Sequence, residues 1–420
     1  MIRLYLDGNG LFGEIPEELF TALQYLRHLH LRNNSLAGSL PSAMPIAGRL
    51  ITLDFSENFL SSTIPAEIGH IQFLNVLRLG SNALYGTVPD DLLINHYDFR
   101  ELNLTRNALT GPILTQDQPE YSSRWAHLGS LEVLDLSHNG FTGEITSSIF
   151  RGLERIKVLD ISRNSFTGSL PLEAAEDLQS INSFKANGNQ LTGSFPWSLF
   201  SHFNLVHIDM SDNLFTSGLT FDAGRFTFTL EYLDFSNNRI QSTMPGVLGE
   251  LTNLKQLILN DNKIFGSLPD SIANMAALEV LDISRNTIGG RLSPLLANCQ
   301  GLTELYLHGN QFTGDVPVTF SQLSSLREYR DIISVCDSGM CSKPQTEFIL
   351  STVSTGRATF HDNEIAGDID FLCSSHSAAA STTRSITNVT DVEGDFARVI
   401  SADCSGDSPQ VVCTSCCECS

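Results

Sequence analysis

Two apolar residues flank a polar one, and an asparagine follows three positions later; this unit recurs thirteen times along the 420-residue chain. The asparagines are Asn9, Asn34, Asn58, Asn82, Asn107, Asn139, Asn164, Asn189, Asn213, Asn238, Asn262, Asn286 and Asn310, and all but one step between them is 24 or 25 residues. A degenerate fourteenth copy sits at Asn363. Alternation with a period of two predicts a short strand with one buried face. Self-similarity at this fixed period predicts a solenoid of stacked coils. Such a molecule offers an extended surface for holding something rather than a pocket for chemistry.

One copy shows the parts: Leu77-Arg78-Leu79-Gly80-Ser81-Asn82, then Ala83-Leu84-Tyr85-Gly86-Thr87-Val88-Pro89. Leu77 and Leu79 point inward from a strand, and Asn82 follows where the chain must turn. Its amide has two donors and an acceptor, enough to satisfy its own turn and a neighbouring coil. Repeated at one level, these amides should form a ladder, and Asn82→Leu should cost ~1–3 kcal/mol. Four residues past the asparagine stands a glycine in eleven of the fourteen copies, and a serine at Ser62, Ser217 and Ser242. Glycine there suits a positive φ or a close approach of coils. An apolar residue and proline follow in nine copies, so this segment is extended or turn-like. A helical turn such as Glu17-Glu18-Leu19-Phe20 should lead to the next strand.

The unit L-x-x-L-x-L-x-x-N-x-L-x-G-x-I-P resembles the plant-type leucine-rich repeat of receptor-like ectodomains, from Met1 to about Val318. The resemblance implies an α/β fold, a right-handed curved solenoid. Parallel strands would line its concave face, and 3-10 or extended segments its convex face. At ~4.8 Å per strand the sheet would run ~58 Å along its arc. The tail motifs Phe371-Leu372-Cys373, Ala402-Asp403-Cys404 and Val411-Val412-Cys413-Thr414-Ser415-Cys416-Cys417 resemble the C-terminal cap of diatom leucine-rich-repeat proteins. That likeness implies a surface or secreted protein and brings no activity with it.

Three segments follow from the spacing. Residues 1–327 carry the solenoid, 328–357 an insertion, and 358–420 the degenerate last repeat with a cysteine-rich cap. Eight of the nine cysteines fall after the regular coils: Cys336, Cys341, Cys373, Cys404, Cys413, Cys416, Cys417 and Cys419. We read them as disulfides stapling the last coil, with zinc at the Cys413-x-x-Cys416 run as the alternative. The excess of seven residues between Asn107 and Asn139 is a second insertion. Sequons place glycosylation candidates at Asn33, Asn103 and Asn388. Met1 opens directly into a repeat, with neither a signal peptide nor a polar N-terminal cap, so we expect a truncated chain. No apolar run reaches the ~18 residues of a membrane span.

The net charge of −22 leaves no basic stripe for phosphate, which argues against nucleic acid as a partner. No phosphate loop, H-E-x-x-H, G-x-S-x-G or kinase signature occurs, so we expect neither an enzyme nor a cofactor. Candidate binding residues are the polar ones in and just after each Leu-x-Leu: Tyr5, His30, Arg32, Arg78 and Asn103, then Asp135, Asp160, Asp209, Asp234 and Asp282. The first group mixes aromatic and basic side chains, the chemistry of hot spots. The aspartates are either solvent-facing fillers or an acidic strip for a basic peptide or a divalent cation. The expected function is recognition of a protein, a peptide or a cell-wall glycan by an extracellular or cell-surface, receptor-like domain. The alternatives are an intracellular, cytoplasmic scaffold and a secreted inhibitor of wall-degrading hydrolases.

Overall fold

At each Leu-x-Leu a three-residue strand forms, from the residue before the first apolar position to the x, because its central apolar side chain has only the stack of coils in which to leave water. In this computed structural model the chain divides into two units, Met1–Arg239 and Ile240–Ser420. The structure describes residues 1–94, 98–113, 128–150, 152–171, 178, 180–195, 204–217, 219, 229–326, 357–359 and 364–365. The 114–127 insertion, the 328–356 segment, Asn388 and the eight late cysteines lie outside the described residues.

In the first unit ten strands run parallel: Arg3–Tyr5, His28–His30, Thr52–Asp54, Val76–Arg78, Glu101–Asn103, Val133–Asp135, Val158–Asp160, Ser183–Lys185, His207–Asp209 and Tyr232–Asp234. Register is strict, with Leu29 opposite Leu53, Leu53 opposite Leu77 and Leu77 opposite Leu102. From the second strand on, the central residues are buried, as are Leu31, Phe55, Leu79, Leu104 and Leu136 two positions later. Burying each such side chain is worth ~1.5–3 kcal/mol, and stacking makes the core continuous. The second unit repeats the plan with Gln256–Ile258, Val280–Asp282, Glu304–Tyr306 and Arg357–Thr359. The last of these strands comes from the degenerate repeat around Asn363.

The asparagine ladder is present. Asn58 donates through Nδ2 to the carbonyls of Phe55 (3.1 Å) and Ser56 (3.1 Å) in its own turn, and to Leu31 (2.9 Å) of the preceding coil. Its Oδ1 accepts from the Leu36 amide at 3.0 Å. The glycine four residues later holds φ of 82° at Gly38 and 84° at Gly86, where an L side chain would be strained. Sequence reasoning missed a second row of parallel strands on the flank, ending at or near that glycine. In the first unit it includes Ser35–Gly38, Tyr85–Gly86 and Ala108–Pro112. Proline then starts a 3-10 turn with extended φ/ψ, as Pro65 (φ −70°, ψ 138°) does before Ala66–His70. The turn expected at Glu17–Phe20 is an α-helix at Glu18–Ala22.

Candidate functional site

Alternation along each strand turns the first and third residues outward, and the residue two beyond the third follows them. Three rows therefore cross the exposed face of the first unit's sheet. The middle row holds Tyr5, His30, Asp54, Arg78, Asn103, Asp135, Asp160, Lys185, Asp209 and Asp234, placed side by side by the register. Every sheet-face residue proposed from the sequence is on this face, apart from Asp282, which belongs to the second unit. The row before it includes His28, Thr52, Glu101, His207 and Tyr232, of which sequence reasoning reached only His28. Aligning the coils by their asparagines would have found the rest.

At the N-terminal end the rings of Tyr5 and His30 lie 4.6 Å apart. The Thr52 hydroxyl sits 3.0 Å from both His28 Nδ1 and His30 Nε2. Burial, then the charges of Arg3, His30 and Arg27, hold the His28 imidazole below its ordinary pKa. Arg32 and Arg78 are not spare cations. Arg32 pairs with Glu57 Oε1 through Nη2 at 2.6 Å. Arg78 forks onto Glu101, with Nε and Nη2 each donating at 2.6 Å, and its Nη1 reaches Asp54 Oδ2 at 3.4 Å. Any ligand meets these arginines as ion pairs. Between them lies a pocket of about 190 Å³ lined by Arg32, Ser56, Glu57, Arg78, Gly80, Ser81, Asn103 and Thr105. A Cβ on Gly80 would stand 2.7 Å from Asn103 Oδ1 and 2.8 Å from Thr105 Cγ2.

Asp54 is only 4% exposed, so removing Arg78 leaves a buried carboxylate without its cation. Arg78→Ala should lower the urea stability of this unit by about 1–2 kcal/mol, below the ~3–5 kcal/mol of a fully buried pair. The discount reflects the 38% exposure of the Arg78 side chain. Arg78→Lys should recover only part of the loss, since an ammonium cannot reproduce the planar fork. An unchanged midpoint for Arg78→Ala would show that the pair contributes nothing.

Of the sequons, Asn33 is exposed, with a left-handed φ of 54°. Asn103 instead lines the pocket. Its Oδ1 accepts from the Thr105 amide (3.2 Å), and its Nδ2 donates to Asp135 Oδ2 (3.3 Å).

Farther along, the Asp-x-Ser units are internally bonded. Asp135, Asp160, Asp209 and Asp234 each accept through Oδ1 from the amide and the hydroxyl of the serine two residues on, at 2.6–3.1 Å. Asp282 does the same with Ser284. This short-range capping explains why Asp and Ser travel together through the repeats. Burial is the largest influence raising the carboxyls of Asp135, Asp234 and Asp282 above the ordinary range, and the serine bonds oppose it. Beside these acids His207 and Tyr232 stack, with centroids 4.1 Å apart and planes at 5°, and the Tyr232 hydroxyl donates to Asp234 Oδ2 at 3.1 Å. Burial and the charge of Lys185 hold His207 below its ordinary pKa.

A folded-state pKa raised above the unfolded value means that ionised Asp234 opposes folding. The penalty is complete above the raised pKa and disappears as pH falls through it toward 3.8. Asp234→Asn should therefore raise the unfolding midpoint at pH 7, with the advantage shrinking toward pH 4. His207 acts oppositely, since stability is lost as pH falls below its unfolded value of 6.5, but it is common to both proteins. The difference between the two midpoints against pH isolates Asp234, and a lower midpoint for Asp234→Asn at pH 7 would contradict the assignment.

Among the described residues no group of three His, Cys, Asp or Glu side chains is placed to hold a metal ion. No helix among them is long and apolar enough to cross a membrane.

The models of two families described as leucine-rich repeats match residues 129–191 and 228–288, and residues 25–45, 49–71 and 301–323. Receptor-like protein 39 of Arabidopsis thaliana is 28% identical over 213 residues, covering 50% of this chain and 17% of its own length. Receptor-like protein 41 of the same plant is 26% identical over 264 residues, 62% of this chain and 23% of its own. The chain thus spans less than a quarter of the length of either curated relative. Among solved structures, the Arabidopsis HAESA ectodomain in complex with an N-terminally extended IDA peptide hormone superposes with a TM-score of 0.74 at 27% identity, over 88% of this chain and 59% of that one. The plant peptide hormone receptor RGFR1 in complex with RGF2 gives 0.73 at 25%, over 88% and 57%. With its asparagine ladder, glycine column and proline-led 3-10 turns, the chain is built of leucine-rich repeats and is similar to the plant receptor-like proteins and receptor ectodomains.

Proposed function

We propose that this chain is a non-catalytic recognition module, extracellular or on the cell surface, that takes a peptide or protein segment across the exposed face of its long sheet. The observation that carries the reading is the first unit's run of ten strands in strict parallel register. Backbone hydrogen bonds there are already satisfied, so the rows of outward side chains are fixed in place and available to a ligand. Variable side chains on a rigid scaffold bind with little rearrangement, and solenoid curvature makes such a face concave. The peptide complexes of the HAESA and RGFR1 ectodomains support the same reading.

The chemistry of the face narrows the ligand. One end offers ion pairs, imidazoles and a polar pocket, and the other offers carboxylates around the His207–Tyr232 stack. A segment with hydrogen-bonding groups for the first end and a basic residue for the second is complementary to both. Peptides selected from a displayed library against the purified chain test this. Tyr232→Ala, Asp160→Lys and Gly80→Ala should each weaken the selected peptides by about tenfold or more. Tyr85→Ala, an exposed position on the flank, should leave binding unchanged. Binding lost only in the flank variant would move the site off the sheet.

A further inference from the structure

A second surface lies just outside the sheet face, on the approach to the first strands. Tyr25, Arg49 and Phe73 occupy the same place in three successive coils, each one residue before the buried Leu26, Leu50 or Leu74. Tyr25 is 64% exposed and Phe73 58%. The fold does not ask for aromatics there, since later coils use Asp98, Ser130 and Arg155 at this position. The Arg49 guanidinium carbon stands 5.3 Å from the centroid of the Tyr25 ring.

The neighbouring position extends the surface. The Arg27 amide donates to the Ile2 carbonyl (2.8 Å) and the Ile51 amide to the Arg27 carbonyl (2.7 Å), so the parallel ladder continues here and sets Arg27 beside Ile51. Arg27 is exposed and Ile51 half-buried. Among the described residues no carboxylate lies within the 4.0 Å of an ion pair from Arg27 or Arg49. Arg32 and Arg78, close by in sequence, are both paired. In a chain with 47 acids and 25 bases, Arg27 and Arg49 stand among exposed aromatic and half-buried aliphatic side chains.

We propose that Tyr25, Arg27, Arg49 and Phe73 form a docking surface for an acidic peptide segment of a partner protein, one in which carboxylates alternate with apolar side chains. Two free guanidinium forks suit carboxylates, and exposed aromatics beside arginine have the composition of interface hot spots. Stacking on Tyr25 holds Arg49 ready, which lowers the ordering cost of binding. An anionic glycan would use the same charge. However, Arg49 covers one face of Tyr25, where a sugar ring would stack, and Ile51 offers a glycan nothing. The surface is separate from the sheet-face site and does not depend on it.

The test uses a fluorescent random copolymer of glutamate and tyrosine, with polyglutamate and polygalacturonate of matched charge as comparisons, in fluorescence anisotropy. The copolymer should bind more tightly than either comparison. Arg27→Glu with Arg49→Glu, and separately Tyr25→Ser with Phe73→Ser, should each weaken it by about tenfold or more at an unchanged melting temperature. Failure of the copolymer to bind, or binding indifferent to either pair of replacements, would overturn the proposal. So would polygalacturonate binding as tightly as the copolymer, which would make this a surface for acidic glycans. Self-association in sedimentation that Arg49→Glu abolishes would also overturn it, by assigning the surface to a second copy of the chain.

Discussion

Asn213→Leu should destabilise the first unit by about 3 kcal/mol, the upper end of what a newly orphaned buried polar group costs. Asn213 is 4% exposed, and its amide serves two coils at once. Its Nδ2 donates to the carbonyls of Ala186 (3.0 Å), Met210 (3.3 Å) and Ser211 (3.0 Å), and its Oδ1 accepts from the Leu191 amide (3.0 Å). Leucine fills a similar volume but returns none of these bonds, so the Leu191 N–H is left buried without its acceptor. Urea unfolding measures the loss, and hydrogen exchange locates it, with the Leu191 amide and the adjoining coils losing protection first. Unaltered stability would mean that the ladder accompanies the fold without holding it together.

Gly69→Ala should have a comparable effect for a different reason. Gly69 lies in the 3-10 turn Ala66–His70, and a Cβ built on it would overlap the backbone carbonyl of Asp91 in the next coil. Gly249 in the second unit repeats the arrangement, with its Cβ overlapping the carbonyl of Ser271. Backbone cannot step aside as a flexible side chain can, so each substitution forces two coils apart. Overpacking of this kind costs ~1–3 kcal/mol. Gly10→Ala and Gly129→Ala, which meet nothing within 4 Å, should stay within about 0.5 kcal/mol of the parent in the same melts. Equal melting temperatures across all four would refute the close packing of the turns.

The period of the asparagines was enough to place the strands, the ladder, the glycine column and the helical turns. Each of these is a property of one coil repeated, and repetition makes it visible. What escaped was specific to pairs of coils. Glu57 and Glu101 each stand a repeat away from the arginine they neutralise, so the pairing appears only when the coils are aligned. The Asp-x-Ser units were legible as sequence, but not the hydrogen bonds that turn one carboxylate oxygen away from solvent. The His207–Tyr232 stack sits in the row that a reading confined to the centre of Leu-x-Leu skips. The flank strands escaped because the proline that follows the glycine or serine in nine copies argued against a ladder, whereas Ser35–Gly38 and Tyr85–Gly86 end before it.

Photo-cross-linking tests most directly the claim that the exposed sheet face is the recognition surface. A library-selected peptide would carry a photoreactive residue at each position in turn, and the adducts would be mapped by mass spectrometry. The expected adducts fall on outward residues of the long sheet, such as Tyr5, Thr52, Asp160 and Tyr232, in an order that follows the peptide. Adducts confined to the flank around Phe12 and Tyr85, or to residues after Ile240, would contradict it.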